Sequence, residues 1–273
     1  MTPSDIFTPS LSPEEHLILN CLRSEFSGGS RACVSGPCPP DIKWNAVFEA
    51  ALTWNIAPMV YRILPKHQDS QPGLNIPEPV LKAIEAAYVK TYLVNQSYFS
   101  DLTKLIGLLA EAEVEVILLK GAHLTPFVYQ DLGMRWMADI DILVRKEDFQ
   151  KADRVLLEAG YRYPDLGMTV WEDSEEKREL SDSGAVIEWY KTHHMHLNYS
   201  NPETIQNLEV HWAIVRNASP FAIDTEGLWE RARQENLNGQ TVLVLSPEDL
   251  ILHISVHDAY YHHLKLFRVE AVL

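Results

Sequence analysis

The sequence predicts an α/β protein of the α+β kind: a small mixed β-sheet flanked by helices and preceded by a helical N-terminal region. Three observations carry this. Apolar residues recur at helical spacing through about residue 112, short aliphatic runs ending in turn residues follow, and strands then mix with helices as far as about residue 245. The expected organisation is a helical region over 1–112, a sheet domain over 113–245 and a C-terminal helix over 246–273.

The first helix is expected in "LSPEEHLILNCLRSEF", with Ser12 as N-cap, Pro13 at the first helical position and Glu15 three residues after the cap. "GGSRACVSGPCPPD" breaks regularity. Helical spacing resumes in "DIKWNAVFEAALTWNIAPMVYRIL" and continues through "PEPVLKAIEAAYVKTYLVNQSYFSDLTKLIGLLAEAE", with the polar stretch "PKHQDSQPG" expected as a turn between them. "VEVILLKG" reads as a buried strand ending at a glycine, and "MADIDILV" as a second strand, with a short helix in "AHLTPFVY" and the loop "DLGMRWMA" between them. Phe149, Ala152, Leu156 and Ala159 mark the inner face of a helix that Gly160 stops. "AVIEWYKT", "LEVHWAI" and "QTVLVLS" are further strand candidates, and Ser246-Pro247-Glu248-Asp249 caps and starts the last helix.

The chain's 273 residues, 46% of them hydrophobic, suffice for one large core or two modest ones. No run of about 18 apolar residues and no basic, apolar leader is visible, so the expected location is the cytoplasm without a membrane partner. Cys21, Cys33 and Cys38 are too few and too irregularly spaced for a paired metal site, and free thiols are expected. A net charge of -15 opposes a polyanionic partner and leaves small anionic ligands to places where a cation offsets the field. The acid-rich "WEDSEEKRELSD" reads as a solvated loop.

In "MADIDILV", strand alternation puts Asp139, Asp141 and Leu143 on one face and Ile140, Ile142 and Val144 on the other. Two like charges a few ångströms apart raise each other's pKa unless a cation lies between them. Hard divalent ions take carboxylate and phosphate oxygens, so this pair suits phosphate chemistry. Lys120-Gly121, where the first strand ends, supplies a cation and a close backbone approach for a phosphate; it also reads simply as a turn. Glu209 in "LEVHWAI" offers a third acid on a third strand, with His211 on the same side.

"ILLKGAHLTPFVYQDLGMRWMADIDILVRKEDFQKADRVLLEAGY" and the later "LEVHWAI" closely resemble the bacterial uncharacterised nucleotidyltransferases of the polymerase β-like nucleotidyltransferase superfamily. The resemblance spans about residues 40 to 260. It rests on the Lys120-Gly121 turn, the spacing of Arg135, Asp139 and Asp141, and the Glu209-x-His211-Trp212 strand. It implies a metal-dependent transfer of a nucleoside monophosphate from an NTP, ATP among the candidates, to an acceptor hydroxyl. Asp139, Asp141 and Glu209 would be both the catalytic residues and the ligands of Mg²⁺ or Mn²⁺. Lys120, Gly121, Arg135 and His211 would bind the nucleotide. Superfamily members commonly carry Gly-Ser or Gly-Gly after the first strand, whereas this chain has Gly121-Ala122, leaving Lys120 to compensate.

Bland readings stand beside these: Glu209 as an outward strand residue, His211 as a hydrogen-bonded structural histidine, and Trp136 and Trp212 as core. The acceptor is open, with the acidic balance favouring a small molecule or a protein over nucleic acid. "HHMH" at 193–196 reads as a solvated hairpin. His253 and His257 have a zinc-compatible i, i+4 spacing but no accompanying glutamate, so polar helix packing is expected. The main alternative to an enzyme is a non-catalytic nucleotide-binding or interaction protein that retains the fold.

Overall fold

A computed structural model describes residues 11–26, 41–70, 74–163, 169–171, 177–179, 190–205, 207–216, 219 and 223–261. The described residues fall into two compact units, the first reaching Val94 and including Leu132–Trp136, the second comprising Asn95–Asp131 and the chain from Met137 onward.

The first unit is helical, with α1 (Pro13–Phe26), α2 (Trp44–Thr53), α3 (Ala57–Ser70) and the start of α4 (Glu78–Glu111), which continues into the second unit. The expected capping box is present: Glu15 N–H donates to Ser12 Oγ at 3.2 Å, and Ser12 N–H donates back to the Glu15 carboxylate at 2.7 Å. Leu17, Ile18, Cys21 and Leu22 of α1, Val47 and Ala51 of α2, and Val60, Ile63 and Leu64 of α3 are buried. Cys21 is not joined in a disulfide; Cys33 and Cys38 lie outside the described residues, as does most of "WEDSEEKRELSD". The turn expected at "PKHQDSQPG" is corrected, because α3 runs through Pro65 to Ser70. Burial of the preceding turn outweighs the break that an isolated chain would make at a proline.

The second unit holds a six-stranded mixed sheet in the order β5-β6-β2-β1-β8-β7. Its strands are β1 (Ile117–Leu118), β2 (Ile140–Leu143), β5 (His196–Tyr199), β6 (Leu208–His211), β7 (Arg233–Leu237) and β8 (Gln240–Val244); β3 (Thr169–Trp171) and β4 (Lys177–Glu179) form a separate pair. Between β1 and β2 come α5 (Lys120–His123) and a π-helical turn (Leu124–Tyr129) where a short helix was expected. Helix α6 (Phe149–Glu158) ends as anticipated at Gly160, whose φ of 91° permits Tyr161 N–H to reach Leu156 O at 3.0 Å. Helices α7 (Thr225–Arg231) and α8 (Pro247–Tyr261) complete the unit. Ser246 caps α8, its Oγ accepting from Asp249 N–H at 3.2 Å.

Two strand expectations change. Of "AVIEWYKT", residues 185–189 lie outside the described set, while 190–193 are helical, with His194 N–H donating to Tyr190 O at 2.7 Å. The strand instead comprises His196–Tyr199, which starts at the last residue of the stretch expected to be a solvated hairpin. Strand β7 has little apolar signal, but Asn238 and Gly239, with φ of 51° and 94°, form the positive-φ hairpin turn that folds it onto β8.

Ile117, Leu119, Leu143, Ile214, Leu228, Trp229 and Leu245 form one core cluster of this unit. Trp212 is buried as expected, its ring edge-on to Phe149 of α6 with centroids 4.8 Å apart. Tyr163 and Tyr199 both donate to the buried Asp153 carboxylate, at 2.6 and 2.8 Å, which ties β5 to α6.

Candidate active site

Parallel pairing of β2 with β6 sets Asp141 opposite Glu209, and antiparallel pairing of β5 with β6 sets His196 opposite His211. Because side chains two apart on β6 share a face, this register gathers residues from three strands on one side of the sheet. One ligand atom each from Asp139, Asp141 and Glu209 lie within 4.8 Å of one another, and the same holds for His196, Glu209 and His211.

Asp141 is 1% exposed, so the acid that was expected to need a cation is buried with two donors from the chain itself. Lys120 Nζ donates to its Oδ1 at 2.6 Å and His211 Nε2 donates to the same oxygen at 2.9 Å. Lys120 Nζ also lies 3.5 Å from Glu209 Oε2, and His211 Nε2 3.3 Å from it. Burial alone would raise the Asp141 carboxyl, but the Lys120 ammonium and the His211 hydrogen bond outweigh it and hold it well below the usual carboxylate range. The same contest leaves Glu209 below its ordinary value, with burial opposed chiefly by His211. Lys120 and His211 move up in return: burial favours their neutral forms, and the carboxylates overcome it.

Lys120 departs from expectation in its backbone. Close approach was assigned to Gly121, yet Gly121 lies buried inside α5 and Lys120 itself takes a φ of 42°. That region costs a non-glycine residue about 1–2 kcal/mol. Ion pairing of the ammonium with Asp141 offsets the cost and fixes the direction of the side chain. Leu119 N–H adds a bond to Asp141 O at 3.1 Å, which joins the end of β1 to the middle of β2.

His211 was expected to share a side with Glu209 and does, but it is 1% exposed and bonded to Asp141. Arg135 falls within Leu132–Trp136, a segment of the first unit. His196 was missed as a site residue, since its position depends on β5, which the polar, histidine-rich sequence conceals. The available signal was the alternation His196, Leu197, Asn198, Tyr199, in which Leu197 and Tyr199 are both buried. His196 Nε2 lies 3.9 Å from Glu209 Oε1, and its ring centroid 4.8 Å from that of His211. Burial, helped by His211, pushes His196 down to about 4, so its imidazole is neutral at pH 7.

Three histidines that their surroundings keep neutral make a prediction about acid. Burial is the first cause holding His123 and His196 at about 4 and His253 at about 3, and neither ring nitrogen of His123 or His253 has a hydrogen-bond partner. Unfolded, each binds a proton near pH 6.5, so stability is full above that pH and falls as pH drops toward the folded values. His211 acts in the opposite sense, its contribution being lost as pH rises through its elevated value. His253→Leu should therefore remove about 1–2 kcal/mol of the stability lost between pH 6.5 and 5, measured by denaturant unfolding at the two pH values. An unchanged loss would show that His253 is not kept neutral by burial.

Among the described residues, the groups with metal-compatible geometry are the two that share Glu209; His253 and His257, with ring centroids 6.2 Å apart, are in neither. No helix among the described residues is long and apolar enough to cross a membrane. Comparison with curated proteins gives no match. The family model described as "Uncharacterised nucleotidyltransferase" matches residues 40–269, a span that takes in the whole acidic cluster. With the mixed sheet and the converging acids already placed, that match over most of the chain shows that the protein belongs to the uncharacterised nucleotidyltransferase family.

Proposed function

We propose that the protein transfers a nucleoside monophosphate from an NTP to the hydroxyl of a small-molecule or protein acceptor, at the site formed by Asp139, Asp141 and Glu209. The observation that carries this reading is the convergence of three carboxylates from β6 and the start of β2 to within 4.8 Å. Their chemistry fits Mg²⁺ or Mn²⁺: the donors are hard oxygens, and mutual repulsion already demands positive charge among them. Such an ion, held by Asp139, Asp141 and Glu209, supplies Lewis-acid neutralisation of phosphate charge and acidifies a bound hydroxyl.

The chain's residues then have distinct roles. Lys120, whose ammonium already lies beside the acids, contacts triphosphate oxygens, and Gly121 follows it in the nucleotide-binding set that the family pattern implies. Arg135 belongs to the nucleotide-binding set that the family pattern implies. His211 holds Asp141 and Glu209 in place. The acceptor oxygen forms a bond to the α-phosphorus, the bond from that phosphorus to the bridging oxygen breaks, and pyrophosphate leaves. The hydroxyl proton passes by way of the Glu209 carboxylate to solvent. Positioning and charge neutralisation supply the rate, as in other phosphoryl transfers.

A second reading has its own support: Lys120 Nζ at 2.6 Å from Asp141 already gives the acids a counter-charge, as a nucleotide-binding protein without turnover would need. Incubation with labelled NTPs, Mg²⁺ or Mn²⁺ and a cell extract separates the two. Transfer of label by the wild type, reduced at least 100-fold in Asp139→Ala/Asp141→Ala, is expected. NTP binding with equal labelling by both proteins would leave the non-catalytic reading.

A further inference from the structure

We propose that His196, Glu209 and His211 form a second cation site, selective for a borderline divalent ion such as Zn²⁺ or Co²⁺ and adjoining the carboxylate cluster through Glu209. This claim concerns metal binding and stands whether or not nucleotidyl transfer occurs.

The donor set is the first reason. Two imidazoles and one carboxylate are the ligands of open zinc sites, leaving a position for water or substrate, whereas Mg²⁺ prefers oxygens alone. Geometry is the second. Ligand atoms about 2.1 Å from a tetrahedral ion stand roughly 3.4 Å apart; Glu209 lies 3.3 Å from His211 Nε2 through Oε2 and 3.9 Å from His196 Nε2 through Oε1. Small side-chain adjustments close the difference, with no change in the β5–β6 register that sets His196 opposite His211.

The two oxygens of Glu209 also face different neighbours. Oε1 is the atom nearest His196, whereas Oε2 lies beside His211 and Lys120. Glu209 thus meets the two histidines through different oxygens, Oε1 toward His196 and Oε2 toward His211. Access and charge agree: the side chains of His196 and Glu209 are 21% and 17% exposed, while the nearby Asp139 and Asp141 add negative charge. His211 Nε2, which otherwise donates to Asp141 Oδ1 at 2.9 Å, releases that proton when the ion binds.

The test uses the full chain, stripped with a chelator and titrated with Co²⁺ while visible absorption is followed and bound metal is counted by mass spectrometry. One equivalent of Co²⁺ with the strong visible band of a four- or five-coordinate ion is expected, displaced by equimolar Zn²⁺ and retained in millimolar Mg²⁺. His196→Ala and His196→Gln should weaken binding at least tenfold, while Asp139→Asn and His193→Ala should retain the band. Only the weak band of an octahedral ion, loss of Co²⁺ to Mg²⁺, or His196 variants binding like wild type would each overturn the proposal. The wild-type spectrum and the Mg²⁺ competition decide it even if every variant fails to fold. Co²⁺ bound through His196 without label transfer would count against the transferase reading alone, and label transfer without this Co²⁺ site against the present one alone.

Discussion

Asp141→Ala is expected to lower the unfolding free energy by about 3–5 kcal/mol, the usual cost of leaving a buried charge without its partner. The stranded groups are Lys120, 14% exposed at its side chain, and His211, 1% exposed, which both donate to Asp141 Oδ1. Glu209 at 3.5 Å compensates Lys120 only in part. Denaturant unfolding followed by circular dichroism measures the loss. Asp141→Asn should fall between wild type and the alanine variant, because an amide oxygen still accepts a hydrogen bond but carries no charge. A stability equal to wild type in both variants would mean that the cluster is already hydrated and that its ion pairs contribute little.

Lys120→Met should destabilise by a similar amount, about 3–5 kcal/mol, for the reverse reason. It keeps the apolar stem but leaves Asp139, Asp141 and Glu209 within 4.8 Å of one another without the ammonium. The wild-type ion pair contributes fully below the ordinary lysine value and is lost as pH rises through the elevated pKa of Lys120. In the variant the carboxylates resist ionising together, so its stability should instead decline as pH rises through the carboxylate range and above. Millimolar Mg²⁺ should raise the melting temperature of Lys120→Met more than that of wild type, since a divalent ion replaces the missing charge. At roughly 2–4 °C per kcal/mol for a chain of this size, thermal scans with and without Mg²⁺ resolve the difference. No Mg²⁺ effect on the variant would argue that the acids do not form a cation site.

Much of the second unit was legible in the chain. Alternation placed β2 and β6 because each buries aliphatic residues at every second position, and Gly160 announced its own helix end through a conformation that favours glycine. The capping box at Ser12 and the N-cap at Ser246 were equally readable, being satisfied within four residues. Pro65 misled for the opposite reason: tertiary burial carries α3 past a residue that would stop an isolated helix.

Local sequence determined which side chains could do chemistry here: Asp139 and Asp141 by their spacing, Lys120 by its place at a strand end, and Glu209 and His211 by sharing one strand face. Tertiary structure alone decided what they do to one another. It made Lys120 the counter-ion of Asp141, put the positive φ on Lys120 rather than Gly121, and brought His196 against Glu209. The physical reason is range: spacing and capping act within a few residues, whereas pKa shifts and ligand sets arise only when strand register brings distant charges within a few ångströms at low dielectric.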